Sequence, residues 1–132
     1  VKFNGRACGC GKKGCLEAYS SGSALIKKSN IKECKNTRDL LTTYKNNDQT
    51  IHIVNQAASI VAQSIINVYL LLRMDFFIIG GSVGLNSFFY KAIINHIKQH
   101  EPPVKIKKAK LKSKAELYGC FAYINKKLFL KK

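Results

Sequence analysis

Acidic residues, arginine and proline are scarce in this 132-residue sequence, and tryptophan is absent. Seven Asp and Glu stand against 23 Lys and Arg, so the formal net charge is +16. Because Arg6, Arg38 and Arg73 are the only arginines, the excess is almost entirely lysine, a bias that AT-rich coding DNA also produces. The charge alone therefore predicts no specific nucleic-acid partner.

A secretory signal is also missing, because the first residues contain neither an initiator Met nor an apolar core segment. We expect the sequence to start inside a longer protein. The longest apolar stretch, Ile51–Leu72, is long enough to span a bilayer. It carries five polar side chains that are costly in lipid: Asn55, Gln56, Gln63, Ser64 and Asn67. The stretch is therefore interpreted as a buried helix of a soluble domain, with no membrane partner.

The apolar periodicity of residues 16–73 predicts three helices. They are expected from Leu16 to about Lys28, at Thr37–Tyr44 with Asn36 or Thr37 as the cap, and from about Gln49 to Arg73. One face of the last helix is predicted to hold Ile53, Val54, Ala57, Ala58, Val61, Ile65 and Val68. Asn30–Asn36 is expected to connect the first two helices, and Asn46-Asn47-Asp48 to end the second.

Residues 75–130 alternate between strand and helix patterns. The continuous apolar run Phe76–Ile79 predicts a strand buried on both faces, and Val104–Ile106 predicts a second, more exposed strand. Helices are expected at Asn86–His100, stopped by Pro102 and Pro103, and at Ala115–Leu130. A right-handed crossover would make the two strands parallel, which gives an α/β fold class.

The cysteines are unevenly placed at positions 8, 10, 15, 34 and 120. An odd number without a signal argues against a disulfide framework and for a reducing cytosol. Cys8, Cys10 and Cys15 can wrap around one tetrahedral ion, since the glycines between them allow tight turns. Lys12 and Lys13 would favour the thiolates. The alternative is three unrelated free thiols in a glycine-rich loop.

A fourth metal ligand is not evident in the sequence. His52, His96 and His100 all lie on predicted helices far from the cysteines, where surface or helix-end positions are the simpler interpretation. The spacing Gly9-x-Gly11-x-x-Gly14 also matches the dinucleotide fingerprint, but no convincing strand precedes it. We therefore favour a three-thiol metal site with its fourth ligand outside this sequence.

Two further segments offer candidate binding residues. Gly80, Gly81 and Ser82 follow the predicted strand, at the edge of a parallel sheet where ligands bind. A plain strand-to-helix turn is the equally weighted alternative. A lysine-rich run at 105–114 is interpreted as a solvated edge, and the aromatic residues at 76–77 and 88–90 as core.

Together these segments resemble the ROK family of sugar kinases and repressors. The segment Cys8–Glu17 matches its C-x-C-G-x-x-G-C-x-E signature, and Ser21-Gly22 follows in the next helix. The apolar strand ending in Gly80-Gly81 and the segment Ala115–Gly119 match two later family features. Within the family, Ile79–Leu85 is most similar to the kinases of N-acetylmannosamine.

The resemblance implies part of the C-terminal lobe of an actin-like ATPase (ribonuclease-H-like) fold, helix-rich with a short parallel βαβ unit. Residues 8–17 would form a zinc loop, 16–73 the helices and 75–130 the strand-helix-strand-helix unit. The N-terminal lobe, with the phosphate loop, the catalytic Asp and a zinc-binding His, would lie before Val1. Hence no catalytic residue is assigned in this sequence. Cys120 and Phe121 depart from the small residues usual after Gly119.

The implied function is phosphoryl transfer from ATP, with Mg²⁺, to N-acetylmannosamine or a related hexosamine. Cys8, Cys10 and Cys15 would hold a structural zinc, Glu17 would bind the sugar, and Gly80, Gly81 and Ser82 would contact the nucleotide. From spacing alone, Glu17 could equally complement a helix dipole. The full protein is expected to be a cytoplasmic homo-oligomer. A sugar-responsive repressor of the same family and an inactive truncated remnant remain the alternatives.

Overall fold

The computed structural model of the chain describes residues 1–100 and 103–129. These residues form seven α-helices and two β-strands. In chain order they are α1 (Glu17–Ser20), α2 (Gly22–Ser29), α3 (Thr37–Thr42), α4 (Asp48–Leu72), β1 (Phe77–Ile79), α5 (Gly81–Gly84), α6 (Ser87–Gln99), β2 (Ile106–Lys108) and α7 (Ala115–Phe129), with a 3₁₀ turn at Lys112–Lys114 before α7.

The long helix α4 is the centre of the core, because α1, α2 and α6 all pack against it. Its buried residues recur every three or four positions: Thr50, Ile53, Val54, Ala57, Ala58, Ala62 and Ile66. Val68 was also predicted on this face, and it is 39% exposed. At 3.6 residues per turn it lies within about 20° of Ala57, so the predicted face is correct but its burial ends at Ile66.

By length and composition alone, α4 could also cross a membrane. The core helix of a soluble protein passes the same test, and one face of α4 is buried against its neighbours. The helix therefore provides no assignment to a membrane.

Side-chain caps set where the helices begin. The Asn36 side chain accepts a hydrogen bond from the Asp39 backbone N–H, which confirms Asn36 as the cap of α3. The single helix predicted from Leu16 to Lys28 is wrong, because it is divided at Ser21. There the backbone is extended, with ψ at 158°, and Ser21 Oγ caps α2 by accepting from the Ala24 N–H at 3.2 Å. Serine competes in this way with a continuous helix.

The two strands are parallel, as predicted, with Phe77 opposite Ile106. Strand β2 begins two residues later than expected, because the pairing starts where Phe77 N–H donates to the Lys105 carbonyl. Burial of β1 on both faces is wrong for the described residues, since Phe76 is 43% and Ile78 61% exposed. The described sheet has two strands, and they leave one face of β1 open.

The remaining predictions concern the aromatic residues, two helix ends and the start of α7. Phe89 is buried as expected, whereas Phe76 is not core, because the open face of the sheet leaves it in solvent. The expected helix stop at Pro102 and helix end at Leu130 lie outside the described residues. On α7, Cys120 and Phe121 are both exposed, so neither substitution disturbs packing within the described part of the chain.

Candidate functional site

The cysteine loop, residues 6–15, is a small hairpin held by backbone hydrogen bonds. Cys8 N–H donates to the Lys12 carbonyl at 2.8 Å, and Gly14 N–H donates to the Arg6 carbonyl at 2.8 Å. Gly11 and Gly14 have φ of +82° and +76°, which side-chain-bearing residues rarely adopt. Gly14 is also buried, and a Cβ there would collide with the Lys2 carbonyl. The sequence therefore folds locally into a tight turn that directs its thiols to one side.

The three thiols meet within this hairpin. The sulfur atoms of Cys8, Cys10 and Cys15 all lie within 4.8 Å of one another, and Cys10 and Cys15 are 3.6 Å apart. Zinc–sulfur bonds of about 2.3 Å in a tetrahedron place neighbouring sulfurs about 3.8 Å apart. The spacing and the soft donor set therefore fit a zinc ion. Cys34 and Cys120 are remote from this group, as buried and exposed free thiols respectively.

The thiols influence one another's protonation. A hydrogen bond from the Lys12 backbone, followed by those of the Cys15 and Cys8 thiols, lowers the pKa of Cys10. Hydrogen bonding to Cys10, then desolvation and the Cys8 thiol, raise the pKa of Cys15 to about 11. The expected help from the Lys12 and Lys13 ammonium groups is not among these causes. Because a thiol binds a metal ion as its thiolate, binding of a cation by this cluster would release the thiol protons.

Glu17 lies beside the thiol cluster, as the sequence order suggested. Its Oε2 accepts from Cys8 Sγ at 3.7 Å, and its carboxylate is exposed. It occupies the first position of α1, which is a single turn of four residues. Such a short helix supplies little dipole for Glu17 to complement, so the dipole alternative is weakened.

Tyr19 positions the hairpin on the helices, a role that periodicity did not reveal. Its ring is buried, and its hydroxyl accepts from the Arg6 N–H at 2.8 Å. The Arg6 guanidinium stacks 4.9 Å from the centre of the same ring. Because Tyr19 is two residues past Glu17 on α1, the same turn of helix connects the carboxylate to the core. A tyrosine so close to the glycine-rich loop was the available signal.

Gly80, Gly81 and Ser82 lie at the carboxyl end of β1 and are exposed. Gly81 has φ of +75°, and a Cβ there would meet no neighbouring atom, so its glycine is required by conformation and not by packing. Beyond the parallel partner strand, Ala109 N–H donates to the Ile79 carbonyl at 2.9 Å. The segment is thus an accessible strand end at the sheet edge where ligands bind in α/β folds.

The chain is similar in sequence to proteins that are named as sugar kinases. It is 29% identical over 120 residues to an N-acetylmannosamine kinase of Salmonella typhi, covering 88% of this chain and 41% of that protein. It is 33% identical over 102 residues to the enzyme of that name from Citrobacter koseri, covering 76% and 35%. The chain thus spans less than half the length of these relatives.

The chain also resembles solved structures of ROK proteins in its fold. The crystal structure of a ROK hexokinase from Thermus thermophilus superposes with a TM-score of 0.74 at 27% identity, over 87% of this chain and 41% of that one. A ROK transcriptional regulator superposes with a TM-score of 0.64 at 19% identity, over 82% and 32%, which shows a shared fold alone. The helix-rich chain with its short parallel sheet is therefore part of the actin-like ATPase fold of these kinases.

The sequence profile of the ROK family matches residues 1–127, almost the whole chain. This match includes the thiol cluster, Glu17 and the Gly80–Ser82 strand end described above. The chain is therefore a member of the ROK family.

Proposed function

We propose that this chain is the C-terminal part of an ATP-dependent kinase that phosphorylates N-acetylmannosamine or a related hexosamine. The observation that carries the proposal is the exposed Glu17 carboxylate, held beside three converging thiols at the start of α1. A carboxylate fixed in this way can orient a polyhydroxylated ligand. The names of the relatives, which are N-acetylmannosamine kinases, support the choice of sugar.

Glu17 would act by accepting hydrogen bonds. An ionised carboxylate has two oxygens and can accept from two neighbouring hydroxyl groups of a pyranose. Its backbone is fixed on one side by the hairpin and on the other by buried Tyr19. This preorganisation reduces the entropy lost when the sugar is oriented for attack.

Cys8, Cys10 and Cys15 would hold a zinc ion whose contribution is structural. When bound, zinc replaces the thiol protons and links the two sides of the hairpin. The three cysteines would then hold the loop beside Glu17 in one conformation. Free thiols of this kind fit a reducing cytoplasm.

Gly80, Gly81 and Ser82 would form part of the wall around the nucleotide. Without side chains, two glycines let phosphate oxygens approach the backbone closely. Phosphoryl transfer also requires Mg²⁺ and a base for the sugar hydroxyl. We assign neither function to a residue of this chain and expect both to come from the remainder of a full-length kinase.

The zinc assignment is tested by metal analysis of protein purified without chelator. We expect about one zinc per chain, lost when Cys8, Cys10 and Cys15 are all replaced by Ser. Cys120→Ser is the matched control, because Cys120 is exposed and outside the cluster. Equal zinc in the triple variant and the wild type would contradict the assignment.

The sugar-binding role is tested by Glu17→Gln after fusion of this chain to the N-terminal lobe of a homologous kinase. Loss of a charged hydrogen bond should lower kcat/KM for N-acetylmannosamine roughly tenfold. The KM for ATP and the zinc content should not change. Glu33→Gln, at another exposed acidic position, is the control. If Glu17→Gln lowered only the melting temperature, Glu17 would be a structural acid.

The regulator with the same fold makes a sugar-responsive repressor the second candidate. A repressor must bind one DNA sequence, whereas a lysine-rich kinase binds nucleic acid only through phosphates. We expect binding that weakens steeply with salt and shows no sequence preference. Tight, sequence-specific binding by the full-length protein at physiological salt would favour the repressor. A gene that encodes no N-terminal lobe upstream of Val1 would indicate the inactive truncated remnant.

A further inference from the structure

A second concave site lies beside the cysteine hairpin and uses none of the residues proposed to hold zinc, sugar or nucleotide. It is a cavity of about 240 Å³ between the first residues of the chain, α2 and α4. Its lining carries three cationic side chains, Lys2, Arg6 and Lys28, and no carboxylate. We call it the cationic pocket.

Two of the three cations of this pocket, Arg6 and Lys28, are held in place by neighbouring groups. Arg6 stacks its guanidinium face on Tyr19, which leaves the N–H donors along its edge available. Lys28 donates one of its three protons to Gln56 Oε1, and Gln56 Nε2 in turn lies 2.8 Å from His52 Nε2. The exposed Arg6 and the half-buried Lys28 are therefore each held by a neighbouring group before a ligand enters.

The cations also repel one another. Desolvation first, and then the nearby Arg6 charge, lower the pKa of Lys28. Like charges that face one cavity without an acidic partner are stabilised when an anion enters. The lining thus favours a ligand of opposite charge on electrostatic grounds as well as by its hydrogen-bond donors.

The size and floor of the pocket restrict that ligand to a small molecule. Its volume is roughly eight times the ~30 Å³ share of one liquid water. The floor is apolar and consists of the buried side chains of Ile53 and Ala57 with Ile60 beside them. A compact anion fits among the cations, with room for a few carbon atoms against the floor.

We propose that the cationic pocket binds a phosphate-type dianion, either inorganic phosphate or the phosphoryl group of a small metabolite. A tetrahedral dianion can accept from the guanidinium and the two ammonium groups together, whereas a monovalent carboxylate offers only two oxygens. The proposal does not depend on the kinase function, because it involves neither Glu17 nor the Gly80–Ser82 segment.

Isothermal titration calorimetry on the 132-residue chain tests the proposal, with inorganic phosphate as the probe at constant ionic strength. We expect saturable binding at one site, weakened about tenfold by Lys28→Gln and by Arg6→Gln, the scale for one charged hydrogen bond. Lys27→Gln is the matched control, because Lys27 is the exposed neighbour of Lys28 on α2 and does not line the pocket. Acetate should not bind.

Two further measurements separate the outcomes. Phenyl phosphate distinguishes the two sources: tighter binding than inorganic phosphate indicates an organic phosphoryl group, and weaker binding indicates free phosphate. Gln56→Glu places a carboxylate beside Lys28, so it should raise the melting temperature and abolish the stabilisation that phosphate gives the wild type. Absence of saturable binding to the folded wild type, or equal weakening in Lys27→Gln, would overturn the proposal.

Discussion

The helical part of the chain, α1–α4 with α6, buries most of its apolar side chains except at the end of α4, whereas β1, β2 and α7 leave many of theirs in solvent. Leu25 and Leu40 are fully buried in the first region. In the second, Ile78, Leu117 and Phe121 are 61%, 77% and 66% exposed. Exposed apolar patches of this kind mark surfaces that contact other protein. The helical region thus carries its own stability, and the second region presents apolar surface for the remainder of a larger fold.

A pair of leucine truncations tests this difference in burial most directly. Leu40→Ala leaves a cavity in the core and should lower the free energy of unfolding by about 2–5 kcal/mol. Leu117→Ala removes a side chain already in water and should change it by less than about 0.5 kcal/mol. Urea denaturation followed by circular dichroism measures both. Similar losses would show that α7 is packed as well as the core.

The cysteine hairpin provides a second, local comparison, between two glycines. Gly14→Ala combines left-handed backbone strain with a collision against the Lys2 carbonyl, whereas Gly11→Ala has the strain but open space. We expect a cost of about 1–2 kcal/mol for Gly11→Ala and more for Gly14→Ala. Hydrogen exchange of the residue-14 amide, which donates to Arg6, reports the opening of the hairpin. Equal effects would contradict the role assigned to the close approach of Lys2.

The smallest predicted effect concerns the start of α4. Asn47→Ala removes the side chain that accepts from the Thr50 N–H at 3.2 Å and should cost about 1 kcal/mol. Asn55→Ala is the control, since Asn55 is exposed in the middle of the same helix and alanine is the better helix former. The midpoint of urea unfolding measures both variants. A lower midpoint for Asn55→Ala than for Asn47→Ala would indicate that the cap contributes nothing.

Predictions from the sequence were accurate where the determining contacts are local. The cap at Asn36 depends on a side chain and an amide three residues apart. The parallel pairing of β1 and β2 follows from the expected right-handed crossover, and the pairing was confirmed. A local feature that was missed is the division at Ser21, where a serine hydroxyl competes with the helical backbone and apolar periodicity gives no warning.

Predictions failed where burial depends on a distant partner. Apolar composition alone indicated that Phe76–Ile79 is enclosed, but burial of a strand requires neighbours on both faces, and the described sheet has two strands. The spacing of α4 predicts Val68 on the buried face, yet the burial of that face ends at Ile66. In both cases the residue type is consistent with burial, but no neighbouring element in the described part of the chain covers the side chain.

By itself, the sequence determined the close grouping of Cys8, Cys10 and Cys15 with Glu17, because ten residues with three glycines can bring these groups together without help from the rest of the fold. Only the tertiary structure decided that Arg6 and Lys28, 22 positions apart in the sequence, face the same cavity. Their approach depends on how α2 packs on α4 and how Tyr19 holds the hairpin against them. Such long-range contacts are selected by the packing of whole elements, which no local pattern records.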